Sequence, residues 1–257
     1  MKKWQSIIHN GSSLTLIIFL VIIWQLVCTL ELVPGYMLPS PIDVLRAFIR
    51  EFSELMHHAA ISLQESFYGL GLGIVVAFLL SATMDHSNIA YRAIYPILML
   101  TQTIPTIALA PLLVLWMGYG IAPKVALVFL VCFFPITISL LDGFRSADSD
   151  AIALLRSMGA NGVQIFWHIK LPYALSGFFS GLKVAVSYAI VGSVIAEWLG
   201  GDAGLGVYMT RVRKSYSFDQ MFAVILFISV LSILLMQLTM YIQKKSMPWK
   251  QGESTNR

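Results

Sequence analysis

This sequence is short of charge: 12% of its 257 residues are Asp, Glu, Lys or Arg, against roughly 25% in soluble domains. Apolar residues make up 58%, and the mean hydropathy is +0.78. That composition leaves too little polar surface to coat a water-soluble globule, so lipid is the solvent for much of the chain. Cysteine is nearly absent. Cys28 and Cys132 lie inside apolar runs, which excludes a disulfide framework and a thiolate metal site and leaves two small buried hydrophobes. No Gly-x-x-x-x-Gly-Lys-Ser/Thr occurs, so the chain has no phosphate cradle of that kind. His-Glu-x-x-His, a nucleophile motif and paired intramembrane carboxylates are missing too, which argues against a polytopic membrane enzyme. No two halves resemble each other, which argues against an inverted-repeat secondary transporter. Gly69-x-Gly71-x-Gly73 follows no strand and reads as helix packing rather than nucleotide binding. His57-His58 is too tight a pair for a metal site and reads as a solvated outer face.

What is present is a series of charge-free stretches. A helix needs roughly 20 apolar residues to cross the hydrocarbon core, and backbone groups in lipid must pair within the segment. Six stretches qualify: Asn10–Leu30, Ser66–Met84, Ala93–Pro123, Val125–Leu141, Leu171–Ala196 and Gln220–Gln243. The first lacks an Ala-x-Ala-type cleavage site and reads as a retained helix. The third contains Pro96, Pro105 and Pro111; its span is placed near Ile94–Met117 with a kink around Pro105. The fifth is broken only by Lys183, which lies too deep to snorkel and faces the bundle interior or a wet cavity. A functional role and a structural pairing with a polar neighbour both stand for it. The expected fold is all-α, a polytopic bundle of about six transmembrane helices over 1–245, with a polar tail at 246–257.

Six spans put both termini on one side. If that side is the cytoplasm, its segments carry Lys2, Lys3, Arg92, Arg145, Arg156, Lys170, Lys244, Lys245, Lys250 and Arg257, ten cations against six on the other side, Arg46, Arg50, Lys124, Arg211, Arg213 and Lys214. The bias favours cytoplasmic termini. The longest cytoplasmic loop is then 143–172. Within it, 148–158 reads as a short helix capped by Ser149 or Asp150 and ended by Gly159. A second short helix, Asn161–His168, follows, and Leu171-Pro172 opens the next span.

The segment Ala153-Leu-Leu-Arg-Ser-Met-Gly159, nine residues, then Ile169-Lys-Leu171-Pro172 resembles the loop signature of binding-protein-dependent ABC importer permeases. That signature reads Glu-Ala-Ala, three residues, Gly, nine residues, Ile-x-Leu-Pro. The departure is at its front, where Ala153, Leu154 and Leu155 replace Glu-Ala-Ala; a salt bridge of the family glutamate is absent here or supplied by Asp150 or Arg156. Leu38-Pro-Ser-Pro41, Thr103-Ile-Pro-Thr-Ile-Ala-Leu-Ala-Pro-Leu112, Leu115-Trp-Met-Gly118, Phe133-Phe-Pro135 and Ala196-Glu197 resemble the branch that imports nitrate, sulfonates, taurine and pyrimidine precursors of thiamine, and the thiamine-precursor permeases most.

The resemblance implies the type I ABC importer permease fold in the inner (cytoplasmic) membrane. It implies a transporter subunit rather than an enzyme, forming the path for a small polar solute such as an aminopyrimidine, with a sulfonate, taurine or nitrate as the alternative. No cofactor is expected, ATP being bound by a partner chain. The implied partners are two copies of an ATP-binding subunit, an extracytoplasmic solute-binding protein, a second permease copy in a homodimer, and membrane lipid, with no nucleic acid. The implied coupling residues are Ala153, Arg156, Ser157, Gly159, Ala160, Ile169, Leu171 and Pro172. Candidate pathway or gate residues are Gln102, Thr103, Pro105, Glu197 and Gly201. For Gln102 and its neighbours Thr101 and Thr103, helix–helix hydrogen bonding is the equal alternative; for Glu197, a structural partner is; for Gly200–Gly206, a flexible loop is.

Overall fold

The computed structural model describes residues 2–248, with side chains from residue 15 onward, and every regular element in that range is helical. The elements are α1 (Lys2–Thr29), α2 (Pro41–Arg50), α3 (Phe52–His86), α4 (Asn88–Thr101), α5 (Thr106–Met117), α6 (Ile121–Arg145), α7 (Ser149–Ser157), α8 (Gly162–Ile165), a π-helical turn (Phe166–Lys170), α9 (Leu171–Gly200), α10 (Leu205–Lys214) and α11 (Phe218–Ser246). Among the described residues, four helical segments are long and apolar enough to cross a membrane, and the bent pair α4–α5 makes a fifth. Of the first expected stretch, Asn10–Leu30, the segment with described side chains, Thr15–Thr29, is an apolar helix that by itself is shorter than a span. Of the polar tail expected over 246–257, residues 249–257 lie outside the described range.

Two expectations about the spans are corrected. The third stretch is not one kinked helix: α4 and α5 meet at 98° across a short break. Pro105 stands at the break with extended backbone (φ −60, ψ 112) and caps α5, whereas Pro96 and Pro111 sit inside helices. A proline ring sets φ without ending a helix by itself; the break falls where the preceding turn also stops. Glu65, read as the boundary of the second span, lies well inside the 35-residue α3. A charge interrupts an apolar run on paper, but a paired charge does not interrupt a helix.

The chain forms two compact units, 1–58 with 208–227 and 59–207 with 228–257. In the first, Val44 and Ala47 of α2 are buried with Ala223, and Trp24 packs on Phe222 with ring centroids 5.9 Å apart. Ser40 caps α2, its hydroxyl accepting from Asp43 N–H, with Pro41 in the first turn. In this unit His58 is buried with Tyr208, ring centroids 5.6 Å apart. That corrects its reading as a solvated residue: His57 alone of the pair is exposed.

In the second unit α6 and α9 form the core. A Cβ on Gly177 would strike the carbonyl of Ser139, and one on Gly181 would lie 2.6 Å from the Pro135 carbonyl and 2.9 Å from Ile136 Cα. Two backbones approach this closely only where side chains are absent, the usual solution in membrane bundles. The surrounding core includes Val128, Cys132, Ile136, Leu140, Phe144, Ala185 and Ala189. α3 joins it through Gly69 and Gly73. A Cβ on Gly69 would lie 2.5 Å from Val128 Cβ, and one on Gly73 would touch Cys132 at 3.5 Å, whereas Gly71 faces open space. The Gly-x-Gly-x-Gly run is therefore a packing surface with one face used.

Candidate functional site

Two places in the second unit gather the residues that carry chemistry. The first is the segment 146–171, which joins α6 to α9. α7 starts at Asp148, whose carboxylate accepts from Asp150 N–H at 2.9 Å. The cap is thus one residue before the expected Ser149 and two before Asp150, because Asp148 is the residue with extended backbone that aims its side chain at the free N–H groups. α7 ends at Gly159, where φ is +83. Gly159 N–H bonds the Arg156 carbonyl at 3.0 Å and Ala160 N–H bonds the Leu155 carbonyl at 2.9 Å, a Schellman closure. A Cβ on Gly159 would meet nothing within 4 Å, so the requirement for glycine is one of backbone conformation alone.

Asn161 then starts a new helix with a capping box. Its N–H bonds the Gln164 side chain at 2.8 Å, and its own side chain accepts from Gln164 N–H at 2.9 Å. This second helix is not separate from the span, as the sequence suggested: α8, the π turn and α9 form one continuous apolar helical segment, Gly162–Gly200. Pro172 has no N–H to give the carbonyl four residues back, and the turn before it is wound wide, with Leu171 N–H bonding the Phe166 carbonyl.

The inner side of this elbow is fixed. Ile165 and Ile169 are buried, Phe166 stacks on Phe144 with centroids 5.6 Å apart, and Lys170 Nζ bonds Asp85 at 2.7 Å. The outer side is bare: Leu154, Met158, Val163 and Trp167 are exposed, as are Ala153, Arg156 and Ser157. Arg156 reaches a cavity of about 840 Å³ that Asp85, Asn161 and Lys170 also line. Among the described residues neither Asp150 nor Arg156 forms an ion pair. Within the described part of this chain, then, neither residue takes part in a salt bridge in place of the family glutamate.

The second place is a buried polar cluster at the 200–206 turn. Lys124 Nζ bonds Glu65 at 2.6 Å. Ser62 Oγ donates to Glu197 at 2.6 Å and accepts from Leu205 N–H at 2.9 Å. Gly206 N–H donates to the other Glu197 oxygen at 2.6 Å. Ser62, Glu65, Lys124 and Glu197 are all buried. Gly204 has φ +125, and a Cβ there would overlap the Glu197 carboxylate; Gly201, the cap of α9, leaves room for Lys124 Nζ, which a Cβ would meet at 3.2 Å. The turn is thus a fixed collar on a buried carboxylate. Sequence reasoning found Glu197 and Gly201 but missed Glu65, Lys124 and Ser62. Glu65 and Lys124 stand 59 positions apart and Ser62 and Glu197 135, so no local spacing signals their union.

The remaining pathway candidates lie apart, at the α4–α5 break, where Gln102, Thr103 and Pro105 are exposed. The hydroxyls of Thr101 and Thr103 donate to carbonyls of their own turn, Ile97 at 2.9 Å and Leu100 at 2.7 Å, so neither joins two helices.

The chain resembles solved transporters in fold. The crystal structure of an amino acid ABC transporter superposes with a TM-score of 0.64 over 77% of this chain and 96% of that one, at 11% identity. An inward-facing structure of the MetNI methionine ABC transporter gives 0.57 over 79% and 96%, at 21% identity. Residues 69–247 match the family model described as binding-protein-dependent transport system inner membrane component. The chain belongs to that family. As such it is a multi-pass inner-membrane permease subunit of an ABC importer, not an enzyme, and its family works with an ATP-binding subunit and a solute-binding protein. It is 37% identical over 237 residues, 92% of this chain and 94% of the relative, to the formylaminopyrimidine transport permease protein ThiX of Halalkalibacterium halodurans. It is 31% identical over 90% of its length and 85% of the relative to the riboflavin transport system permease protein RibX of Chloroflexus aurantiacus. With the taurine transport system permease protein TauC of Escherichia coli it shares 27% over 96% of its length and 93% of the relative.

Proposed function

We propose that this subunit carries a pyrimidine precursor of thiamine, an aminopyrimidine of the formylated kind, across the inner membrane. The observation that carries the substrate reading is the 37% identity to the formylaminopyrimidine permease, sustained over 92% of the chain. A sulfonate or taurine is the second reading, favoured by the alignment with the taurine permease over 96% of the chain at 27% identity. Two copies of the subunit pair as a homodimer, bind two ATP-binding subunits, and receive solute from the extracytoplasmic binding protein. Both termini are cytoplasmic. The permease domain spans 1–245 and the polar tail 246–257.

Coupling runs through the 148–172 elbow. Its exposed Leu154, Met158, Val163 and Trp167 supply apolar anchors for a groove on the ATPase, and Gly159 sets the angle between them. The contacts of buried Ile169 and half-buried Phe166 and Lys170 pass movement into α9 without slack, so closure of the paired ATPases tilts the span and switches access from one face to the other. Glu197, Gly201, Gln102, Thr103 and Pro105 belong to the gates of that path.

The test is uptake by the reconstituted transporter with its own binding protein, using labelled formylaminopyrimidine with taurine, an alkanesulfonate, nitrate and riboflavin as competitors. ATP-dependent formylaminopyrimidine uptake that the others do not inhibit is expected. Uptake of taurine or the sulfonate instead would establish the second reading.

A further inference from the structure

The exposed surfaces of the spans in the second unit differ in kind. On α3 the exposed side chains include Phe67, Leu72, Val75 and Leu79, and on α11 Val230, Ile233, Leu234 and Leu238. Those faces suit hydrocarbon. α9 uses Ala174, Gly181, Ala185 and Ala189 for its buried side, and its other side carries Ser180, Lys183, Ser187 and Tyr188, all exposed or half-exposed, interleaved with exposed Val184 and Val191. Positions 180, 183 and 187 are neighbours on one helix face. Lys183 lies 12 residues from Leu171 and 17 from Gly200 by position, so roughly 18 and 26 Å of helix separate it from the two ends. It is too far from either for its stem to carry the ammonium to a headgroup layer.

Ser180 Oγ donates to the Ser176 carbonyl at 3.0 Å, and Ser187 Oγ donates to the Lys183 carbonyl at 2.9 Å and also lies 4.0 Å from Met236 Sδ of α11. The Lys183 ammonium is different. Among the described residues it has no ion-pair or hydrogen-bond partner, in contrast to Lys124 and Lys170, which are both paired with carboxylates. An unpaired cation in the middle of a span needs water around it.

We infer that the Ser180–Lys183–Ser187 face of α9 lines the aqueous path, and that Lys183 is its fixed positive charge, favouring solutes with electron-rich acceptors such as ring nitrogens, carbonyls or anionic oxygens and disfavouring cations. The inference rests on the proposed role of the chain as a solute path; it does not depend on which solute is carried. Serines on either side of the ammonium hold hydroxyl lone pairs and waters for the solute as it passes, and the single cation sets the sign of the local potential.

The experiment uses the assembled transporter, with its ATP-binding subunit, in proteoliposomes, with Cys28→Ser and Cys132→Ala as background. Single cysteines are placed at 180, 183 and 187, with Leu79→Cys and Leu234→Cys as lipid-facing controls, and labelled with anionic and cationic membrane-impermeant methanethiosulfonates. The three α9 positions are expected to react about tenfold or more faster than the controls. At Ser180→Cys the anionic reagent is expected to be favoured over the cationic one, relative to a free thiol, by about fivefold. That preference should vanish in Lys183→Gln and persist in Lys183→Arg. Reactivity no higher than that of the controls would overturn the inference. So would a spontaneous disulfide between two copies at Ser180→Cys in every nucleotide state, or an unchanged charge preference in Lys183→Gln. Failure of formylaminopyrimidine uptake with the labelling pattern intact would refute the proposed substrate and leave the path assignment standing.

Discussion

Gly159 is the residue whose conformation the elbow cannot do without. A Cβ in the left-handed region costs about 1–2 kcal/mol, and a branched one more, yet there is open space around the position. Gly159→Val is therefore expected to reach normal membrane abundance while losing most ATPase co-purification and uptake, and Gly159→Asn, which tolerates that conformation, to keep a substantial part of both. Co-purification and uptake measured at matched membrane levels decide it; wild-type coupling in Gly159→Val would remove the elbow from the mechanism. Lys124 poses the opposite case, a side chain fixed by its partner. Lys124→Met leaves Glu65 buried without its cation, and loss of one member of a buried pair costs about 3–5 kcal/mol. A fall in the detergent melting temperature is expected for Lys124→Met, and a large part of it should return in the double variant Lys124→Met, Glu65→Leu. Equal melting of the single and double variants would show that the pair is not the source of the loss.

At the scale of elements, the glycines of α3 offer a controlled comparison. Gly69→Ala forces a methyl against Val128, and overpacking of this kind costs about 1–3 kcal/mol. Gly71→Ala meets nothing and gains helix propensity of up to about 1 kcal/mol. Thermal unfolding in detergent should rank Gly71→Ala at or above the parent and Gly69→Ala below it; the reverse order would mean that α3 packs by a different face. The sequence reveals that these glycines pack a helix, because no strand precedes them, but not which ones do. The same limit holds elsewhere. Apolar runs mark where helices lie, since hydrocarbon imposes one length and one hydrogen-bonding solution. They do not reveal that α3 continues through Glu65, because the pairing that neutralises it comes from Lys124 on a different helix. The bend at Pro105 is legible as a weakness but not as a near right angle. The joining of α8 to α9 depends on a wide turn that Phe166 and Pro172 make together. Contacts closed within four residues can be read from sequence, as at Gly159; those closed by tertiary packing cannot.

At the scale of the whole molecule, the distribution of lysine and arginine sets the expected orientation, ten on the side of the termini against six on the other. A reporter enzyme fused after Arg257 should be active only as a cytoplasmic reporter, and one inserted in Gly200–Gly206 only as an external one. The exchanged pattern would invert the assignment of the elbow to the ATPase side and with it the coupling scheme.

The pairing of Glu65 with Lys124 also bears on how the protein is made. The two residues are 59 positions apart, so at about 5–20 residues per second roughly 3–12 s of synthesis separate them. During that interval α3 has left the ribosome with its carboxylate bare, before the helix that neutralises it exists. Integration of α3 is therefore a provisional event: until α6 arrives, the helix is held at the insertion machinery or rests at a shallower depth, and the bilayer accepts it fully only as a pair. In chains stalled before Lys124, α3 should lie shallower by glycosylation-distance mapping than in chains extended past α6; in Glu65→Leu chains the shorter product should already show the full depth.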